Sequence, residues 1–149
     1  MRLLGASVRD VDTVDPDRLK NVELFSPLDD AERAHLATWL EAEDYPAGKA
    51  IVRDDAAGYA FFIIDEGQAH AEHEGRVLEV LGPGSVFGEM AMFRPDGHRS
   101  ADVVADTPVR AFSMFGTRFR QMQIELPAVA ARIEQLARER AARLQGSGS

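Results

Sequence analysis

The stretch of sequence that decides the fold is GSVFGEMAMF at residues 84–93, followed after a short polar loop by RSA at residues 99–101. A strand that ends at Phe87, then Gly88 without a Cβ atom, then a run of helix formers would aim backbone N–H groups forward from a helix start. N–H groups in that arrangement bind anions. The pattern therefore predicts a strand, a glycine and an anion site at the start of a short helix.

Two charged side chains near this turn indicate what kind of anion it would hold. The loop that separates Arg99 from Glu89 lets the guanidinium fold back over the helix start, where its fork geometry suits two phosphate oxygens. Glu89 would be repelled by the same anion unless the ligand also offers hydroxyl donors, as a ribose does. A phosphate and a ribose together indicate a nucleotide.

Residues 87–93 and 99–101 resemble the phosphate-binding cassette of cyclic nucleotide-binding domains. Members of that family include catabolite-activator-type regulators, cyclic-nucleotide-dependent kinases and gated channels. The resemblance implies that Glu89 holds the ribose 2′-hydroxyl and that Arg99 pairs with the cyclic phosphate. It covers roughly residues 24–143 and implies an eight-stranded antiparallel β-roll of the jelly-roll type.

The resemblance also implies which other groups contact the ligand and which ligand is expected. Backbone amides of Gly88 and Ala91 are expected to contact it, and the Ser100 hydroxyl is expected to touch the phosphate or the base. Because cAMP is the most frequent ligand in the family, it is the expected ligand here, and cGMP, cCMP and cUMP are the alternatives. The complete set of predicted ligand-binding residues is Phe87, Gly88, Glu89, Met90, Ala91, Arg99, Ser100 and Ala101.

Two positions depart from the family pattern. His98 stands where members often carry Pro, and Asp102 stands where Thr or Ser is common. Neither departure removes a predicted ligand-binding group. Asp102 adds a negative charge to the strand that follows Arg99.

Composition and charge limit the classes of protein to which the chain can belong. The chain has 149 residues, 45% hydrophobic and 28% charged, which fits one globular domain with a sizeable core. A net charge of −8 at pH 7 disfavours direct binding to nucleic acid or to an anionic membrane surface. The absence of cysteine excludes disulfides and thiolate metal sites and favours a cytoplasmic location. No apolar run approaches the roughly 18 residues of a membrane helix.

The chain divides into an N-terminal arm with a possible short helix (1–24), a folded domain (25–144) and a flexible tail or cloning remnant (145–149). Asp29 and Glu32 form a capping-box pattern, which predicts a helix that Pro46 ends. Beyond it, short apolar runs alternate with turn residues, which indicates a mainly β domain, an antiparallel roll or sandwich with flanking helices. These runs are residues 50–52, 59–64, 69–73, 77–81, 86–87, 101–105 and 109–114.

Two helices are predicted after the sheet, at residues 115–124 and 127–144. Val129, Ile133 and Leu136 mark an apolar stripe on the second helix, which indicates packing on its own domain or pairing with a second copy. The resemblance implies a mobile helix pair that closes over the base, with Arg138 or Arg140 as candidates to cover it.

The favoured function is therefore a cyclic nucleotide sensor without catalytic residues, metal or cofactor, acting on an effector domain or partner protein. A ligand-independent interaction domain with the same fold is the first alternative. A cupin-like metalloenzyme is disfavoured because His70 and His73, three apart on a strand, would point to opposite faces. A phosphodiesterase is disfavoured because the stretch offers no metal cluster and no nucleophile paired with a base.

Overall fold

The computed structural model describes residues 14–52, 60–88 and 101–148 of the chain. The described elements, in chain order, are the 3₁₀ turns η1 (Pro16–Asn21) and η2 (Glu23–Phe25), helix α1 (Asp30–Ala37), strands β1 (Glu41–Tyr45), β2 (Ala50–Val52), β3 (Ala60–Glu66), β4 (Ala69–His73), β5 (Arg76–Leu81), β6 (Val86–Phe87), β7 (Asp102–Ala105) and β8 (Val109–Phe115), and helices α2 (Gly116–Glu125) and α3 (Pro127–Gly148). The predicted mainly β fold with flanking helices is confirmed.

The strands form two four-stranded sheets in which every pairing is antiparallel. The first sheet has the order β1-β8-β3-β6 and the second has the order β2-β7-β4-β5. Strands β6 and β7 follow each other in the chain but belong to different sheets. The segment between them therefore passes from the first sheet to the second. This arrangement is the eight-stranded antiparallel β-roll that the resemblance implied.

Apolar side chains fill two layers, one between the sheets and one between the first sheet and the helices. Strand β3 contributes to both, because Phe62 and Ile64 belong to the inter-sheet cluster while Phe61 and Ile63 belong to the cluster under the helices. A strand that is covered on both faces has a continuous run of apolar residues. The predicted strand at residues 59–64 is confirmed as β3.

The prediction of one helix from the capping box to Pro46 is wrong beyond its first two turns. The capping box forms, with the Glu32 amide donating to Asp29 Oδ1 at 2.8 Å, but α1 ends at Ala37. Its end tightens into i→i−3 hydrogen bonds, and the chain then enters β1, whose sequence EAEDY pairs with β8. Only Ala42 of β1 is buried, so this edge strand carries no apolar alternation that could reveal it.

The N-terminal turns and the last helix pack together over the first sheet. Leu19 and Val22, within the predicted N-terminal arm, are buried in the same cluster as Val129 and Ile133 of α3. Val129 and Ile133 are 1% and 0% exposed, which leaves these two side chains no surface for pairing with a second copy. Helix α3 continues past the predicted end at Leu144 as far as Gly148.

Candidate functional site

Some of the predicted ligand-binding residues lie in the described part of the chain, at the end of β6 and directly before β7. Phe87, Gly88 and Ala101 belong to the described residues. The remaining five lie outside them: Glu89, Met90, Ala91, Arg99 and Ser100. Strand β6 ends at Phe87 beside β3, and β7 begins at Asp102 beside β4. Both ends of the predicted cassette are thus held by strands, one in each sheet.

Phe87 anchors the end of β6 in the core. Its ring stacks on the ring of its cross-strand partner Phe62, with centroids 5.1 Å apart and planes 9° apart. Phe87 is 3% exposed and belongs to the inter-sheet cluster. The buried ring therefore fixes where the chain leaves β6, and the side chain is used for packing.

Gly88 directly follows β6 and has a left-handed backbone conformation. Its φ angle is 83°, in the left-handed region, where a residue with a Cβ atom is strained by about 1–2 kcal/mol. Glycine adopts this conformation without that cost. Glycine therefore suits the position directly after the buried Phe87, at the start of the predicted cassette.

Helix α3 contacts the strand that leads into this turn through one arginine. Arg140 Nη1 donates a hydrogen bond to the carbonyl oxygen of Val86 at 2.5 Å, and Arg140 Nη2 lies 3.3 Å from Glu79 Oε2. The Arg140 side chain is only 14% exposed. The other candidate, Arg138, instead pairs with Glu134 of its own helix at 2.5 Å and is 70% exposed. Of the two arginines, Arg140 is the one that lies beside the candidate site.

Glu79 faces the inside of the roll, which the sequence analysis did not anticipate. It pairs with Ala71 across β4 and β5, and Ala71 packs against the inter-sheet cluster. The Glu79 side chain is 37% exposed. A partly buried carboxylate at the rim of the roll, bound to an arginine of α3, needs both strands and the helix in place, so no local sequence signal could have revealed it.

A second arginine of α3 binds the N-terminal turns. Arg132 Nε donates to the carbonyl oxygen of Leu24 at 2.9 Å, and Arg132 Nη2 donates to that of Glu23 at 3.3 Å. Between this contact and Arg140 lies a groove of ≈ 630 Å³, walled by the N-terminal turns, the β5–β6 turn and α3. Val86 forms part of its wall, so the groove borders the candidate site on its helix side.

The described residues provide no metal-binding group. Within residues 14–52, 60–88 and 101–148, no three His, Asp or Glu side chains are arranged to hold a metal ion. His70, one of the histidines considered for a metalloenzyme, is hydrogen-bonded to Glu72 and Asp106. Among the helices that the structure describes, none combines the length and apolar character of a membrane span.

The two-sheet roll, the left-handed Gly88 directly after β6 and the C-terminal helix docked beside that strand define a β-roll domain. The sequence model of the cyclic nucleotide-binding domain matches residues 42–125. The chain therefore belongs to the cyclic nucleotide-binding domain family, and the predicted family is confirmed.

Individual relatives agree with this assignment. The chain is 36% identical over 110 residues to a cAMP-dependent protein kinase regulatory subunit of Aspergillus fumigatus, covering 70% of this chain and 25% of that protein. The chain thus spans about a quarter of the length of the curated relatives it matches.

Solved structures share the fold. The catabolite activator protein of Thermus thermophilus superposes with a TM-score of 0.74 at 29% identity, covering 83% of this chain and 60% of that one. The regulatory subunit of a cAMP-independent protein kinase A from Trypanosoma brucei superposes with a TM-score of 0.77 at 23% identity, covering 99% of this chain and 52% of that one.

Proposed function

We propose that this chain is a sensor domain that binds a cyclic nucleotide, with cAMP as the expected ligand, at the cassette between Phe87 and Ala101. The observation that carries the proposal is the left-handed conformation of Gly88, directly after a buried strand in a chain of this family. In the proposed site, Glu89 binds the ribose hydroxyl and Arg99 the cyclic phosphate. Gly88, Met90, Ala91, Ser100 and Ala101 complete the contacts.

The choice of cAMP rests on the relatives. The Aspergillus relative is named as a cAMP-dependent regulatory subunit, and its identity to this chain is the main support for the base. The Trypanosoma subunit has the same fold and is described as belonging to a cAMP-independent kinase, so the fold by itself does not select a nucleotide. A direct comparison of the four nucleotides is therefore required to identify the preferred base.

We propose that occupancy reaches the C-terminal helices through strand β6. A ligand that draws the cassette inward pulls on Gly88 and hence on Val86, whose carbonyl oxygen accepts a hydrogen bond from Arg140 of α3. Helix α2 contributes Phe119 and Met122, both buried, to the cluster under the helices. A tenfold preference of the ligand for one helix arrangement is worth about 1.4 kcal/mol, enough to shift a population between two states.

The output of the sensor is proposed to lie in another domain or another protein. Because the chain spans about a quarter of its curated relatives, an effector elsewhere is consistent with its size. A homodimer through α3 is less favoured, since Val129 and Ile133 are buried in their own domain. We propose a binding role without catalysis, in the cytoplasm, with no direct contact to nucleic acid or membrane.

Calorimetric titration of the chain with cAMP, cGMP, cCMP and cUMP tests the proposal. We expect saturable binding of one nucleotide, with cAMP tightest. Arg99→Ala should weaken it about 100-fold, because a charged bidentate contact is worth about 3 kcal/mol. Arg138→Ala is the matched control and should bind normally, since Arg138 pairs with Glu134 on the surface of α3.

Three results would contradict parts of the proposal. Absence of binding by all four nucleotides would overturn the sensor proposal and favour an interaction domain that keeps the fold for a partner. Equal binding by the chain and Arg99→Ala would remove the cassette from the site. Recovery of hydrolysed nucleotide after prolonged incubation would contradict the non-catalytic role.

A further inference from the structure

The second sheet exposes two valines on its outer edge. Val77 and Val80 of β5 are 60% and 68% exposed, and β5 is the last strand in the order of that sheet. Val80 pairs with His70 and Val77 pairs with Glu72 of β4, with a register shift between them. The shift adds one residue to β5, so two valines three positions apart lie on the same face.

This face is the outer one, directed away from the inter-sheet core. On β4, Ala69 and Ala71 pack into the inter-sheet cluster, so His70 and Glu72, which alternate with them, face outward. The register continues this face onto β7, where Val104 lies opposite His70 and Asp102 opposite Glu72. The valine–carboxylate face thus consists of Val77, Val80, Val104, His70, Glu72, Asp102 and Asp106.

His70 holds two of the carboxylates in fixed positions beside the valines. Its Nδ1 lies 2.7 Å from Asp106 Oδ1 and its Nε2 lies 2.6 Å from Glu72 Oε1. The His70 side chain is 19% exposed, whereas Glu72 and Asp106 are 33% and 44% exposed. The carboxylates are therefore positioned by hydrogen bonds and remain accessible to a partner from outside.

The charge of the face decides which partner suits it. A second copy of this chain would bring the same carboxylates to its own valines, and the net charge of −8 opposes that association. A basic partner meets opposite charge instead. An edge strand with exposed valines also accepts an added strand, because in the described part of the sheet β5 pairs only with β4.

Strand spacing favours long basic side chains in such a partner. Neighbouring strands lie about 4.8 Å apart, so a strand added to β5 lies about 10 Å from β4. A lysine or arginine on the outer face of that strand can lay its aliphatic stem across the valines and place its charge near Glu72. A short polar side chain cannot span this distance.

We propose that the valine–carboxylate face is a docking surface for an extended segment of a partner protein in which basic and aliphatic residues alternate. The segment adds to β5 by backbone pairing, covers Val77 and Val80, and places its positive charges near Glu72 of β4. This surface lies on the opposite side of the second sheet from the core that contains Phe87, so the proposal does not depend on nucleotide binding.

Methyl NMR of the full chain, titrated with a ten-residue peptide of alternating lysine and valine, tests the surface. We expect saturable shifts at the methyl groups of Val77 and Val80. A matched peptide with glutamate in place of lysine should bind at least tenfold more weakly. Binding of the lysine peptide should weaken as the salt concentration rises.

Two variants separate docking at this face from general charge attraction. Val77→Thr combined with Val80→Thr retains β-branched residues that suit a strand and should reduce peptide affinity at least tenfold. Ile124→Thr is the control, since Ile124 is 81% exposed on α2 and should bind the peptide normally. No binding of the lysine peptide, equal binding of both peptides, or unchanged affinity in the double variant would overturn the proposal.

Discussion

Arg140 connects the C-terminal helix to the strand that enters the candidate site, and its removal has a predictable cost. Replacing it by methionine keeps most of the aliphatic stem but deletes the hydrogen bond to Val86 and the ion pair with Glu79. A hydrogen bond from a charged donor contributes about 1.5–3 kcal/mol and a partly exposed ion pair about 0.2–1 kcal/mol. We expect Arg140→Met to weaken docking of α3 by about 2–3 kcal/mol.

Hydrogen exchange of the α3 amides measures this loss directly. A change of about 2–3 kcal/mol corresponds to a rise of roughly 30- to 140-fold in the opening equilibrium around Arg140. If the nucleotide binds the docked arrangement more tightly, its affinity falls by at most the same factor. The two readouts together show whether docking of α3 and occupancy of the site are coupled.

Arg138→Met is the matched control because it removes the same charge from the same helix two residues away. Arg138 pairs with Glu134 in an exposed i,i+4 pair, worth about 0.3–0.5 kcal/mol. We expect at most a twofold to threefold change in exchange. Equal effects of the two substitutions would refute the argument, because the effect would then come from helix charge and not from the contact with Val86.

Two further predictions concern stability. Gly67 has φ 94°, and a Cβ atom there would lie 2.2 Å from the carbonyl oxygen of Pro108, so Gly67→Ala should lower the free energy of unfolding by more than 2 kcal/mol in denaturant titrations. Gly75→Ala, where φ is 79° and the space is open, should cost only about 1–2 kcal/mol, and equal losses would refute the steric reason. The hydrogen bond to Glu72 is the largest cause that raises the pKa of His70 above 6.5. The stabilisation of the fold by protonated His70 is therefore complete below pH 6.5, its ordinary pKa, and is lost as the pH rises through the higher pKa of the folded state. His70→Gln should flatten the pH dependence of unfolding in that range, and an unchanged profile would contradict this assignment.

The sequence predicted those parts of the fold whose signals are local. The capping box at Asp29 and the apolar run of β3 both depend on neighbouring residues, and both form as predicted. Strand β1 was not predicted because it is an edge strand. Four of its five residues are polar or aromatic, and only Ala42 is buried. The prediction therefore extended the helix through β1 to Pro46, the next residue that ends a helix.

The candidate site likewise combines a feature that adjacent residues predict with one that depends on the tertiary fold. Gly88, a glycine directly after an apolar strand, could be recognised from adjacent residues, and the structure gives it the left-handed conformation that glycine adopts readily. The contact of Arg140 with Glu79 and Val86 joins residues 61 and 54 positions apart, so it depends on the tertiary fold. Arg140 follows the buried Ile133 at i+7 and therefore lies on the buried face of α3, whereas Arg138 lies off that face.

The two arginines of α3 make the helix a bridge between the start of the domain and the candidate site. Arg132 binds the carbonyl oxygens of Glu23 and Leu24, and Arg140, two helical turns later, binds that of Val86. The buried Ile133 lies beside the first contact and keeps the helix against the N-terminal turns. Because a helix is stiff over two turns, a displacement of Val86 that α3 follows through the Arg140 contact would also move Arg132 and its contact with the N-terminal turns. In the proposed mechanism, a ligand at the cassette would therefore act on α3 and the N-terminal turns together.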